Sequence, residues 1–279
     1  MKREIHCEKM YNKFVKQKPH NHFLSTLVDY YFFIDQPIEA LFQEHQEYII
    51  PFPRITFGYF FEYPFMATNH NLKASKKVDM VISRVSAQKI TVIPLTDRIK
   101  IIGAHTKPYI LPYLTKTPIN QLPWLIDTMN LFGRRAHEFK ERIKTCSTVT
   151  EMFDLVEMVF MDTLLIKDTT SISNAMDLIE KTNGDIKISE IAEHLDISVR
   201  ALRMQFQRHI GCSPKEVLQL VRLKKSIQQM DDTNDPLTKI TYENSYFDQA
   251  HFINSFKKIT GKSPKNLRRE MDTFRFLQF

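Results

Sequence analysis

The C-terminal third of the chain contains the same short sequence unit twice. Residues 202–218 read LRMQFQRHIGCSPKEVL and residues 252–267 read FINSFKKITGKSPKNL. At an offset of fifty, Gly211 aligns with Gly261, and the Ser-Pro pair after each glycine also aligns. The chain has only six glycines, so two at equivalent positions indicate a duplicated unit. A tandem helical unit favours a partner that is itself periodic, and DNA, with a helical turn of about 34 Å, is the leading candidate.

The charge of the chain is concentrated on these units. Residues 198–230 carry seven basic side chains and one acidic one, a net charge of +6, out of +7 for the whole chain. Residues 248–269 carry six basic side chains and one acidic one, a net charge of +5. Residues 177–196 carry six acidic side chains and two lysines. A phosphate-facing surface requires such clustering, although a solvated helix face is the alternative interpretation.

Length and composition predict a cytoplasmic protein with two domains. The 279 residues suffice for two hydrophobic cores, and 43% hydrophobic residues are typical of a globular chain. The three cysteines (Cys7, Cys146 and Cys212) are odd in number and widely spaced, which predicts a reducing compartment and no disulfide framework. The N-terminus lacks the apolar region of a signal peptide, and no uncharged apolar run approaches the roughly 18 residues of a membrane helix. We therefore expect no membrane contact.

The pattern along the chain predicts an α+β fold. Aromatic and β-branched runs in residues 20–115 predict a β-rich domain, either a barrel or a sandwich. After a break at residues 118–124, helices are predicted over residues 134–144 and 149–166, and the apolar face of the second could be core or a dimer face. With a linker at residues 167–172, we predict a β-rich sensing or dimerisation domain over 1–168, with helices at 134–166, and an all-α domain over 172–279.

Helix boundary signals divide the C-terminal domain into short helices. A helix stop is predicted at Gly184, because glycine accepts the left-handed conformation that often ends a helix. A capping box is predicted from Ser213 to Glu216, with Pro214 at the first helical position. The other predicted N-caps are Ser189, Ser198 and Asp248.

Each repeated unit has the pattern of a helix-turn-helix. In the first, Leu202 and Phe206 are four residues apart and so share the buried face of the second helix. A small residue, Ala192, stands where the two helices cross and allows a steep crossing angle. In the second unit Phe252 and Phe256 provide the buried face, and the turn is one residue longer. A helix over residues 214–230 is predicted to hold the units at a fixed separation.

The order and spacing of these elements, with the paired G-x-S-P sequences, resemble the AraC/XylS-type bacterial transcription regulators. The resemblance covers about residues 172–270 and implies two helix-turn-helix units joined by a linking helix, which read adjacent major grooves. The family usually has Gly-Phe in the turn of the second unit, whereas this chain has Ser245-Tyr246. This difference leaves the conformation of that turn open.

Carried over residue by residue, the resemblance implies which side chains contact DNA. Arginine suits guanine, glutamine and asparagine suit adenine, and methionine or alanine suits the thymine methyl. The base-reading residues implied are Arg200, Arg203 and Met204 in the first unit and Gln249, Ala250, His251 and Asn254 in the second. The side chains implied to bind phosphate are Arg208, Lys215, Lys257, Lys258 and Arg268. For each residue the alternative is simple surface exposure.

No other motif predicts a chemical site. His20 and His22 do not complete a metal coordination shell, and no phosphate-binding glycine loop is present. Cys146 lacks the Pro-Cys-His-Arg sequence of DNA-repair methyltransferases that share this type of DNA-binding domain. We therefore predict no catalytic residues, no metal and no cofactor, and a protein that is not an enzyme.

The sequence thus predicts a cytoplasmic, bacterial, sequence-specific transcription regulator that binds double-stranded DNA. RNA polymerase, a small-molecule effector and a second copy of the chain are further candidate partners. The main alternative is a helical-repeat module that binds a protein or a ligand and does not bind DNA. That alternative predicts apolar outward faces and no salt-dependent affinity for DNA. An enzyme with a DNA-binding appendage is a third reading, for which the N-terminal half supplies no catalytic constellation.

Overall fold

The computed structural model describes residues 14–40 and 46–270. Cys7, the rest of the N-terminal segment and the outer ends of both predicted domains lie outside the described residues. The predicted fold class is confirmed, since a β-rich N-terminal part with a helical extension precedes a C-terminal part in which the described elements are all helices.

The described residues of the N-terminal part form ten strands in two antiparallel sheets. The larger sheet has the order β1-β2-β9-β4-β7-β10, and the smaller one has the order β3-β8-β5-β6. The two-sheet arrangement decides between the two predicted architectures in favour of a sandwich. The strands are β1 Phe14–Gln17, β2 Val28–Pro37, β3 Glu47–Ile49, β4 Ile55–Tyr59, β5 Phe65–Asn69, β6 Ala74–Val78, β7 Met80–Ser83, β8 Ile90–Pro94, β9 Arg98–Thr106 and β10 Leu125–Asp127.

The centre of the larger sheet depends on a glycine. Strands β2 and β9 pair over most of their length, with Phe32 opposite Gly103. A Cβ at Gly103 would lie 2.4 Å from the carbonyl oxygen of Phe57 and 2.4 Å from the ring of Phe32. Only glycine leaves room for the aromatic ring to cross the strand, so the close packing of β2, β9 and β4 requires this residue.

The two faces of the larger sheet belong to different cores. One face packs on the smaller sheet through buried side chains that include Phe32, Ile101 and Phe65. The opposite face, with Tyr31 and Phe57, packs on helices. The alternation of successive side chains between the faces of a strand explains why neighbours such as Tyr31 and Phe32 enter different cores.

The described residues of the N-terminal part also form four α-helices: α1 Leu111–Leu114, α2 Met129–Phe132, α3 Arg134–Ile143 and α4 Val149–Thr163. Phe57 contacts Phe139 of α3 and Phe160 of α4 with ring centroids 6.0 and 5.6 Å apart. Phe153 and Val156 of α4 are also buried, so the apolar face predicted there is largely core, while Met161 stays 38% exposed.

The C-terminal part contains α5 Thr170–Lys181, α6 Ile188–His194, α7 Val199–His209, α8 Pro214–Asp232, α9 Leu237–Glu243, α10 Gln249–Thr260 and α11 Pro264–Glu270. Helix α5 begins inside the predicted linker of residues 167–172, because the Asp168 carboxylate accepts a hydrogen bond from the Thr170 amide and Ile172 is buried. The connection between α4 and α5 is therefore residues 164–169.

Most of the predicted helix boundaries are confirmed. Ser198 and Asp248 accept hydrogen bonds from the amides of Ala201 and His251, and Ser213 forms the predicted capping box with Glu216. The predicted stop at Gly184 is confirmed, since Gly184 has φ of 77° just after α5.

The N-cap prediction at Ser189 is wrong. Helix α6 begins at Ile188, two residues earlier than predicted, with Lys187 as its N-cap. The Glu190 carboxylate, at the third position of the helix, accepts the Lys187 amide at 3.1 Å and so satisfies the N–H of the N-cap residue.

One ion-pair cluster joins the two parts of the molecule. The Arg54 guanidinium binds Asp29 of β2 and Glu180 of α5, with Nε to Asp29 Oδ2 at 2.6 Å and Nη2 to Glu180 Oε2 at 3.2 Å. Lys107 Nζ lies 3.4 Å from Asp29 and 3.6 Å from Glu180. Burial disfavours ionisation of both carboxyls, but the cations outweigh this effect and lower the pKa of each. No motif in the sequence predicts this cluster.

Candidate nucleic-acid interface

The first repeated unit is a helix-turn-helix of α6 and α7. Leu202 and Phe206 are fully buried, and Ala192 at the crossing is 2% exposed. The chain reverses through Asp196, which takes the left-handed conformation with φ of 52°, and the Ile197 amide then donates to the Ala192 carbonyl at 3.0 Å. The buried pair and the small crossing residue fix the face that α7 turns outward, as the sequence predicts.

The second unit, α9 and α10, reproduces this turn without the glycine usual in the resembled family. Ser245 has φ of 58°, and the Tyr246 amide donates to the Thr241 carbonyl at 3.2 Å, as Ile197 does to Ala192 in the first unit. Tyr246 is 7% exposed and its ring lies 4.9 Å from that of Phe252. Ser245-Tyr246 therefore adopts the same turn, which answers the question that the sequence left open.

The units differ by one residue in their connections. Residues 195–198 join the two helices of the first unit, and residues 244–248 join those of the second. Since Tyr246 occupies the position of Ile197 and Asp248 that of Ser198, the additional residue is Phe247. Its side chain is 87% exposed.

Helix α8 links the units through its buried face. Val217, Leu220 and Leu223 are fully buried along it, and Ile227 and Met230 continue the apolar stripe to its end. On the side of the first unit, the Arg222 guanidinium donates to the Gly184 carbonyl at 2.7 Å. On the side of the second, Lys225 donates to the Glu243 carbonyl at 3.3 Å. The separation of α7 and α10 is thus set by contacts made along a single rod.

The structure places all seven predicted base-reading side chains on the exposed faces of α7 and α10, the second helix of each unit. In the first unit, Arg200, Arg203 and Met204 lie on α7, and Met204 is 64% exposed despite its apolar side chain. The predicted base-reading residues of the second unit lie in the first half of α10, which is the end that enters the groove in helix-turn-helix complexes. Those residues are Gln249, Ala250, His251 and Asn254.

The orientation of the His251 ring is fixed by its own helix terminus. The Phe247 amide donates to His251 Nδ1 at 3.4 Å, and the Tyr246 ring lies edge-on 5.7 Å away. An accepting Nδ1 places the proton of the neutral ring on Nε2. Nε2 is therefore a hydrogen-bond donor, which suits the N7 or O6 acceptors of guanine.

The predicted phosphate-binding side chains are less uniform in their exposure to solvent. Arg208 at the end of α7 and Lys215 at the start of α8 are exposed, as are Lys257 and Lys258 near the end of α10. Arg268 of α11 is only partly exposed. A phosphate contact by Arg268 therefore requires more rearrangement than contacts by the other four.

Helices α7 and α10 both end against the β-rich part. A Cβ at Gly211, which follows α7, would lie 3.0 Å from Ile119 Cγ2 and 3.1 Å from Arg84 Cδ. A Cβ at Gly261, which follows α10, would lie 3.1 Å from Lys89 Cε. The two repeated glycines thus combine a positive φ with a close approach to the other domain, and the sequence repeat gave no sign of the second role.

Tyr48 is the centre of the second of these contacts. The ammonium groups of Lys89 and Lys262 lie 4.9 and 5.2 Å from the centroid of its ring. Lys262 directly follows Gly261, so the contact joins the second unit to β3 of the smaller sheet. Such cation–π contacts contribute about 0.5–1 kcal/mol each at exposed sites.

The other candidate sites from the sequence do not form clusters. Among residues 14–40 and 46–270, no three His, Cys, Asp or Glu side chains are grouped as metal ligands. Burial raises the pKa of the Cys212 thiol to about 12 and also raises that of Cys146, whereas a nucleophilic thiol requires a lowered pKa. None of the described helices is both long and apolar enough to cross a lipid bilayer.

Comparison with known proteins agrees with this geometry. A family described as a helix-turn-helix domain matches residues 191–270. The transcriptional activator RhaS of Pectobacterium carotovorum is 26% identical over 86 residues, which cover 31% of this chain and 31% of that protein. RhaS of Salmonella paratyphi B is 25% identical over 133 residues, or 42% of this chain and 46% of that protein.

The C-terminal part of this chain is an AraC/XylS-type helix-turn-helix domain. The predicted resemblance is thereby confirmed. The match spans less than half the length of these curated relatives, so it concerns this domain and leaves the rest of the chain to the structure.

A solved structure extends the comparison over both parts. ToxT of Vibrio cholerae is 10% identical, and the alignment covers 86% of this chain and 98% of that one with a TM-score of 0.51. At this identity the likeness concerns the fold alone. It shows that a β-rich part followed by a helical part occurs as a two-part fold in another protein.

Proposed function

We propose that this protein is a sequence-specific, DNA-binding transcription regulator whose two helix-turn-helix units read adjacent major grooves. One observation carries the proposal: two equivalent helices, joined by a single linking helix, present seven exposed side chains at the positions that read bases in this family. The basic side chains around these positions would supply most of the affinity for DNA, because they neutralise phosphates and release counterions.

The two units are suited to different base pairs. Arg200 and Arg203 of the first unit can each bond bidentately to guanine O6 and N7, with Met204 beside a thymine methyl. Gln249 and Asn254 of the second unit can each bond bidentately to adenine N6 and N7. The proposed operator therefore has a guanine-containing half and an adenine-containing half, separated by about one helical turn.

The alternative function, a helical repeat that docks a protein, is less well supported. Specific protein interfaces are depleted of charge at their centres and enriched in aromatic side chains. The outward faces of α7 and α10 carry arginine, glutamine, asparagine and histidine, with Met204 and Ala250 among them. Phosphates and base edges match this set of donors better than an apolar groove does.

Site selection from random duplexes with the full chain, followed by affinity measurements on the selected site, tests the proposal. Arg203→Ala should weaken binding to that site by about 1–3 kcal/mol and relax the preference at one base pair. Arg208→Ala, on the same helix, is the matched control and should weaken binding to all sequences alike. Equal weakening of all sequences by Arg203→Ala would contradict a base-reading role.

The salt dependence tests the phosphate contacts separately. Each lost phosphate contact should reduce the slope of log K against log salt by about 0.9. Lys258→Ala should therefore reduce the slope by about one without changing the order of preferred sequences. An unchanged slope would contradict the phosphate role of Lys258, and an absence of salt-dependent DNA affinity in the full chain would contradict the proposed function as a whole.

We extend the proposal to the β-rich part as the effector-binding or dimerisation domain of a cytoplasmic regulator that acts with RNA polymerase. A half-enclosed cavity of about 80 Å³ opens beside the contact between the two parts, and its lining includes Phe52, Thr56, Arg54 and Arg84. A ligand there would touch Arg54 directly and so act on the ion pairs to Glu180. Sedimentation of the full chain with and without operator DNA measures whether it binds as a dimer.

A further inference from the structure

Phe247 is the most exposed phenylalanine among the described residues, and it lies at the tip of the second unit. Its side chain is 87% exposed, directly before Asp248, the N-cap of α10, and two residues before Gln249. It is also the additional residue that makes the second turn longer than the first. An apolar ring at the groove-entering end of a reading helix requires an explanation that the first unit does not need.

A role in folding does not account for this ring. A hydrophobic residue immediately before an N-cap usually packs on the fourth residue of the helix, as a hydrophobic staple. Here the fourth residue is Phe252, which is fully buried, and Tyr246 packs on it with ring centroids 4.9 Å apart. Tyr246 thus does the work of the staple, and Phe247 is left in solvent.

The backbone nevertheless holds Phe247 in place. Its amide donates to His251 Nδ1, and the neighbouring Asp248 carboxylate caps the helix through the His251 amide at 2.6 Å. The Cα of Phe247 is therefore fixed relative to two of the predicted base-reading positions, Gln249 and His251. The backbone of Phe247 is thus held by hydrogen bonds, while its ring is exposed to solvent.

We propose that Phe247 is a specificity-determining residue that contacts the C5-methyl group of a thymine in the half-site read by α10. This inference rests on the proposed function. A phenyl ring has no hydrogen-bond donor or acceptor, and in the major groove thymine alone presents an apolar group. Each adenine bound by Gln249 or Asn254 pairs with a thymine whose methyl group lies in the same groove, so the required group is present at the half-site.

Deoxyuridine, which is thymidine without the methyl group, tests the contact directly. Each thymine of the selected site is replaced in turn by deoxyuridine, and the affinity of the full chain is measured for every duplex. At one position we expect a loss of about fourfold for the wild type, the change that corresponds to one methyl-sized group buried. Phe247→Ala should bind the unmodified site about fourfold more weakly and should lose nothing further at that position.

Two variants make the result specific. Tyr242→Ala removes another aromatic side chain of the same unit, 71% exposed on α9, and should keep the discrimination between thymine and deoxyuridine. Phe247→Leu keeps an apolar group and should retain part of that discrimination. Thermal unfolding should show that both Phe247 variants are as stable as the wild type, because the ring is exposed in the folded protein.

The outcomes separate this inference from the proposed function. If Phe247→Ala discriminates thymine from deoxyuridine as the wild type does at every position, the contact does not exist, while DNA binding by the two units stands. If the full chain shows no salt-dependent affinity for DNA, the proposed function is refuted and this assignment with it.

Discussion

The two helix-turn-helix units share a backbone design and differ in the chemistry they present. Both turns place a left-handed residue at the same point, and both second helices bury a pair of large side chains four residues apart. The exposed face of the first carries arginines, and that of the second carries amides, a histidine and the additional Phe247. Residues that set the fold are thus repeated, whereas residues that would face DNA have diverged.

The units also differ in how they are joined to the β-rich part. The first unit is joined through α5, the helix that precedes it. Glu180 of α5 pairs with Arg54 of the β-rich part, whose side chain is only 8% exposed. The second unit is joined through Lys262 over Tyr48. A largely buried charge pair is costly to break when one partner is removed, whereas a cation–π contact near the surface is worth less. The first unit is therefore the more firmly held of the two.

The largest expected effect tests whether the buried rings of the two helix-turn-helix units contribute equally to stability. Phe206→Ala and Phe256→Ala each remove a fully buried ring, and each should cost about 3–5 kcal/mol of unfolding free energy. Since both rings belong to one continuous core that also includes Phe57 and Phe160, thermal unfolding of either variant should follow a single transition. A variant in which one unit melts well before the rest would show that the cores are energetically separate.

The next effect concerns the attachment of the first unit. Arg54→Ala leaves the carboxylates of Asp29 and Glu180, about a quarter exposed, without their main partner. We expect a loss of about 2 kcal/mol, below the 3–5 kcal/mol of a fully buried pair because water still reaches both groups. Arg98→Ala, which breaks the more exposed pair with Asp35, is the matched control and should have little effect.

The pH dependence of that loss has a definite sign. The pKa values of Asp29 and Glu180 are lowered in the folded protein, so the stability they contribute is complete above their unfolded values, about 3.9 and 4.3. That stability is lost as the pH falls through the lowered values. Burial and Arg54 also lower the pKa of the neighbouring His105 to about 4, so removing Arg54 lets the folded variant protonate this ring more readily. The difference between wild type and Arg54→Ala should therefore begin to shrink as the pH falls below about 6.5 and should shrink further below about 4. A difference that grows on acidification would contradict this account.

A smaller effect tests the attachment of the second unit. Tyr48→Ala removes the ring over which Lys89 and Lys262 lie, and should cost about 1 kcal/mol, less than Arg54→Ala. Tyr48→Phe keeps the ring face and should restore most of the loss. If Tyr48→Ala destabilises more than Arg54→Ala, the second unit and not the first is the more firmly held.

The sequence predicted the elements that are governed by local rules. The caps at Ser198 and Asp248 and the buried pairs depend on spacing within about ten residues, and the structure has them as expected. Ser189 failed as a cap because it lies inside the first turn of α6, and the Glu190 carboxylate accepts the amide of Lys187, the actual N-cap. The short strands, such as β3 and β10, gave no signal because three residues carry too little pattern.

The contacts between the two parts could not be predicted for a different reason. Arg54 and Glu180 are 126 residues apart, and neither stands in a motif. Lys89 and Gly261 are likewise brought together only by the packing of complete domains. The exposure of Phe247 was also hidden, since a phenylalanine beside a helix start normally indicates a staple, and only the structure shows that Tyr246 takes that position.

The smallest effect compares the two turns themselves. Ser245 and Asp196 both have positive φ, with values of 58° and 52°, where a side chain costs about 1–2 kcal/mol relative to glycine. Glycine recovers this cost but loses about 0.5–1 kcal/mol through the greater freedom of the unfolded chain. Ser245→Gly should therefore stabilise the protein by about 0.5 kcal/mol in thermal unfolding. Asp196→Gly should gain less, because aspartate tolerates the left-handed conformation better than serine does, and a larger gain at Asp196 would mean that the equivalent turns are strained for different reasons.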